Sequence, residues 1–175
     1  MYFNLSQVSL ANSAFARGER LSARHFRLSP EAIKKHRYDV RTLAYLENHE
    51  VNDRAFAHIC KYQYKETDET TDSEGLHFFY KICLQDNRIL DAVERANTFI
   101  KLNPLLLYIA THELVHVIRF DAGEIDFDAS LADKEREEDR VHEITKEVLQ
   151  QVMDADLRLV LDCFSSRYKI GDLYN

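Results

Sequence analysis

Hydrophobic positions along this chain follow three different rhythms. Phe56, His58, Cys60, Tyr62 and Tyr64 alternate with Ala57, Ile59, Lys61 and Gln63, and Phe78, Tyr80, Ile82 and Leu84 recur at every second position; a period of two predicts a pair of strands. The intervening run ETDETTDSEG, residues 66–75, contains no apolar residue and reads as a solvated loop joining antiparallel strands, without the donor spacing of a calcium loop. From Leu105 to Phe120 the chain is apolar nearly all round a helical wheel, the pattern of a helix buried in the middle of a domain. The third rhythm places Val141, Ile144, Val148, Val152 and Leu159 on one side of a long helix over about 131–167, opened by the cap-like Ser130-Leu131-Ala132-Asp133.

The remaining segments carry weaker signals. Ser29-Pro30-Glu31 predicts a helix start, with a hydroxyl cap, a proline where its missing N–H costs nothing, and an acid favoured by the helix dipole; that helix is expected to run to about Asn48. A short helix is expected from Ile89 to about Ile100, and Pro104 opens the next. Residues 1–28 carry Arg17, Arg20, Arg24 and Arg27 against Glu19 alone, with little periodicity, and read as a basic N-terminal arm. The expected architecture is α+β: a mostly helical single domain over 29–175 with a small antiparallel sheet.

Composition narrows the function. A chain of 175 residues with 45% apolar and 30% charged positions suits one globular domain. The 23 basic residues against 30 acidic ones give −7, the wrong sign for a general nucleic-acid binder. With 4 Gly and 2 Pro no phosphate-cradling glycine motif is present. Cys60, Cys83 and Cys163 lack CxxC spacing and sit in apolar stretches, where a thiol usually acts as a small buried hydrophobe. No leader-like segment or membrane-length apolar run is evident, so the expected compartment is the cytoplasm, with no membrane partner.

The chemistry concentrates in the buried helix, which contains Thr111-His112-Glu113-Leu114-Val115-His116, an HExxH sequence. At about 100° per residue His112 and His116 leave the helix about 40° apart, one turn from each other, so both imidazoles can bind one zinc ion. Glu113 stands beside the pair, where it can accept a proton from an attacking water and return it to a leaving group. Three such side chains on an apolar helix are costly unless paired or ligated.

A catalytic zinc needs a third protein ligand and an open position. Measured from Glu138, His142 lies about 40° round the next helix and Leu149 about 20°, whereas Asp139 at about 100° and Glu137 at about 260° flank the apolar face and can reach solvent. Glu138 is the preferred third ligand. His142 is its close rival, or else a fourth ligand or an oxyanion-stabilising catalytic group, a role also open to Tyr108 one turn before His112.

Over Thr111–His142 the chain resembles the zincin metallopeptidases, in the glutamate-zincin arrangement where HExxH on one helix is followed by a ligand glutamate on a second. The resemblance implies His112, His116 and Glu138 as zinc ligands, Glu113 as the catalytic base, and an upstream sheet whose edge holds an extended substrate. The second helix has no NExxxD pattern, His142 stands where an aspartate normally supports the site, and no glycine-rich metzincin extension follows His116.

The expected function is therefore a hydrolase with one zinc per chain, acting on a peptide or protein substrate, with homo-oligomerisation left open. One alternative is a ferritin-like di-metal protein, since Glu113-x-x-His116 and Asp139-x-x-His142 are both carboxylate-x-x-His steps; Glu47 and Glu94 are its available further carboxylates. Another is a non-catalytic metal-binding or scaffold domain, which has no need of Glu113.

Overall fold

The computed structural model describes residues 1–65 and 76–164; the acidic run 66–75 lies outside them. Helix α1 (Leu5–His25) is closed at its start by a reciprocal cap, the Asn4 side chain accepting from the Gln7 amide and the Gln7 side chain from the Asn4 amide, both at 2.9 Å. The expected arm is thus a helix, and it packs along the length of the buried helix α4 (Leu102–Asp121). Its contact face is built from Ala11, Ala14, Phe15, Gly18 and Leu21. The two alanines and the glycine among them carry little hydropathy, which is why the periodicity is weak, yet they permit close approach. A Cβ on Gly18 would stand 3.2 Å from Thr111 Oγ1 and 3.3 Å from Leu114 Cδ1.

Ser29 caps α2 (Pro30–Lys34) as expected, accepting from the Ala32 amide at 3.1 Å, but the helix stops after five residues rather than reaching Asn48. Tyr38 and Val40, aromatic and β-branched, are drawn into strand β1 (Tyr38–Arg41) instead. The two strands expected from alternation are present as β2 (Ala57–Lys65) and β3 (Leu76–Leu84), antiparallel, with Ile59 opposite Ile82. Strand β1 pairs in parallel with β3, giving the order β1-β3-β2. The sheet is therefore mixed rather than antiparallel, because non-local pairing leaves no mark in local periodicity.

Tyr80, Ile82 and Leu84 of β3 enter the core. Asp86, at the start of α3 (Asp86–Arg95), accepts from the amides of Phe3 and Leu43 at 2.9 and 3.0 Å, tying the N-terminus and the 43–50 segment to the sheet's end. Pro104 falls in the first turn of α4, where a helix has amides to spare. Ser130 caps α5 (Leu131–Leu149), and Asp154 caps α6 (Ala155–Phe164) by accepting from the Leu157 amide at 2.8 Å. The single long helix expected over 131–167 is thus broken at residues 150–154, where the Gln151 side chain donates to Leu21 O of α1 at 3.2 Å. The result is an α+β domain with α4 at its centre, covered by α1, α5, α6 and the sheet edge. Among the described residues, no helix is long and apolar enough to cross a membrane.

Candidate metal centre

Helix α4 holds His112, Glu113 and His116 in its middle, all buried. Each imidazole is backed by an aromatic ring one turn away: Tyr108 lies 5.9 Å from His112 between centroids, and Phe120 stacks on His116 at 5.8 Å. This fixes both rings so that their Nε2 atoms approach to 3.2 Å. Helix α5 brings Glu138 against them, Oε2 at 3.3 Å from His112 Nε2 and Oε1 at 3.1 Å from His116 Nε2. Donors about 2.0–2.1 Å from a tetrahedral zinc ion stand about 3.3–3.4 Å apart. The Nε2–Nε2 separation fits an edge of that polyhedron, each imidazole faces a different oxygen of Glu138, and the three residues form a group able to hold a metal ion.

Charge at the centre is arranged accordingly. Burial opposes ionisation of Glu138, but His116 and hydrogen bonds from His112 and His116 outweigh it and hold the carboxyl well below its usual range. Glu113 points the other way: burial pushes its carboxyl up to about 7, opposed by His112 and reinforced by Glu138. Adjacent to both carboxylates is a pocket of about 170 Å³, lined by Glu113, His116 and Glu138 with His58 and Ile59 of β2 and Phe120, Phe127 and Lys134. The two imidazoles have buried Nδ1 atoms with no hydrogen-bond partner among the described residues, so the second-nitrogen contact common at zinc sites is not made here by a described residue.

His142 does not join the three donors. Its Nδ1 lies 3.0 Å from the hydroxyl of the buried Tyr108, while its Nε2 is buried without a partner among the described residues. Burial, together with His112 and Lys146, lowers its pKa, so it is a neutral imidazole held by a tyrosine behind the centre. Asp139, needed by the di-metal alternative, is exposed.

Glu137 departs from its expected position in solvent: it is buried and receives two bonds from Arg119 of α4, at 2.6 and 3.0 Å. The wheel placed it on the flank correctly. What it could not show is that α4 meets that flank with a cation. Also illegible in sequence was the part of β2 in the pocket wall, and the meeting of Cys60 and Cys83 with His58 in a second group of potential ligands. Alternation does put His58 and Cys60 on one strand face, but only the register adds Cys83. No protein-family model, curated protein or solved structure matches this chain.

Proposed function

We propose that the chain is a zinc-dependent hydrolase of zincin-like arrangement that cleaves a peptide or amide bond. The observation that carries this reading is the convergence of His112, His116 and Glu138 next to a pocket that Glu113 also lines. His112, His116 and Glu138 would hold one zinc ion, which supplies Lewis acidity toward water and a carbonyl oxygen. Glu113 is the base: with a pKa near 7 it can accept a proton from water at neutral pH and release it to a leaving amine. The aromatic and aliphatic wall of Phe120, Phe127 and Ile59 excludes water from the acyl portion of a substrate. His142, joined to Tyr108 of α4 through Nδ1, ties the middle of α5 to the ligand-bearing helix and supports the ligands from behind. A reducing cytoplasm, with all three thiols free, is part of the same reading.

Elemental analysis and hydrolysis assays on a peptide library test it together. Wild-type protein purified without added metal is expected to hold a zinc ion that Glu138→Ala loses. Glu113→Gln is expected to keep that ion while hydrolysis falls by about 10²–10⁴-fold. Unchanged hydrolysis in Glu113→Gln would sink the catalytic reading in favour of a scaffold. Two iron or manganese ions per chain would favour the ferritin-like one.

A further inference from the structure

The β2–β3 pair carries donors that the hydrolytic reading leaves unused. His58 and Cys83 are directly opposite in the antiparallel register, and Cys60 lies two residues along β2, opposite Lys81; the period of two sets all three on one face of the pair. Their ligand atoms lie within 4.8 Å of one another. Cys83 is fully buried, and Nδ1 of His58 is buried with no hydrogen-bond partner among the described residues.

The sulfur separation decides what this group is suited for. The two Sγ atoms are 4.0 Å apart, about twice a disulfide bond. Thiolates about 2.3 Å from a tetrahedral zinc ion stand about 3.8 Å apart, so a small adjustment accommodates an ion between them. Diagonal cross-strand positions have Cα atoms about 7–8 Å apart, at or beyond the reach of a disulfide. Neighbouring charge is already balanced, because the Lys81 ammonium, 2.6 Å from the buried Glu50 carboxylate, is matched by it. Cys83 donates its thiol proton toward Cys60 Sγ, and a cation bound between the two sulfurs would displace that proton and be held by the resulting thiolates.

We infer that His58, Cys60 and Cys83 form a second metal site, selective for a thiophilic cation such as Zn²⁺ over hard cations such as Mg²⁺. Three protein donors leave one position for water or an exogenous ligand. Because His58 also lines the pocket beside Glu113 and Glu138, a cation held there tethers the part of β2 that walls the first centre. The inference stands on the strand register and is independent of the hydrolase reading.

Titration of the reduced full chain with Cd²⁺, read by thiolate-to-metal charge-transfer absorption, tests it. One equivalent is expected to saturate the band in wild type and in Glu138→Ala alike. The double variant Cys60→Ser, Cys83→Ser is expected to lose the band while keeping the zinc that depends on Glu138. Alkylation gives a readout on unmutated protein: Zn²⁺, but not Mg²⁺, should slow modification of Cys60 at least 10-fold while the exposed Cys163 reacts unchanged. No band in wild type, a band that survives the double variant, or equal alkylation rates with and without Zn²⁺ would each overturn the site.

Discussion

Helices α4 and α5 meet at one centre under opposite constraints. Around its motif α4 is buried on every side, so each polar side chain it carries must be compensated by the protein or by what the protein binds. Helix α5 is amphipathic, with Val141, Ile144 and Val148 inward and Glu135, Arg136, Asp139 and Arg140 in solvent. Two adjacent glutamates of α5 show the consequence. Both line the pocket, but Glu137 is matched by Arg119 and joins the helices, whereas Glu138 is matched by two imidazoles. The buried helix fixes where the imidazoles and the guanidinium stand, and the amphipathic one supplies the carboxylates that match them.

Removing one glutamate at a time would break that division if it is wrong. Glu137→Ala takes two charge-assisted hydrogen bonds from the partly buried Arg119 guanidinium and should cost about 3–5 kcal/mol in denaturant unfolding, with the Glu138-dependent zinc retained; loss of that zinc at unchanged stability would reverse the roles of the two residues. A smaller effect is expected from pH. Glu113 is raised from 4.5 to about 7, so the folded chain holds this proton more tightly than the unfolded one, and the stability it contributes is complete below pH 4.5 and lost as pH rises through 7. In metal-free protein Glu113→Gln should therefore exceed wild type by about 3 kcal/mol at pH 8, the gap closing below pH 4.5. Glu138, shifted the other way, contributes stability above the usual carboxylate range that is lost as pH falls below it. The smallest effect is Tyr108→Phe, which removes one hydrogen bond to His142; about 1 kcal/mol, with zinc content unchanged, is expected from thermal unfolding.

How much was legible depended on whether a signal was local. The motif on α4 and the two alternating strands were readable because periods of 3.6 and 2 arise within single elements. The inward placement of Glu138 followed from the apolar face around it, and its side chain does reach His112 and His116. Glu137 was misread because its burial depends on Arg119, eighteen residues away on another helix. Helix α1 was missed because alanine and glycine confer fit rather than hydropathy. Strand β1 was missed because its partner, Tyr80 opposite Tyr38, lies across the whole of β2.

That parallel pairing bears on the order in which the chain assembles. The β2–β3 hairpin and the α4–α5 pair each join neighbours in sequence, whereas β1 on β3 and α1 on α4 close long stretches of chain, and closure entropy grows with separation. The donors of both candidate sites thus lie within the two local units. Pulse-labelled hydrogen exchange is expected to find amides of α4 and α5 protected before those of α1, so that the ligand geometries are drafted early and the N-terminal helix seals them last.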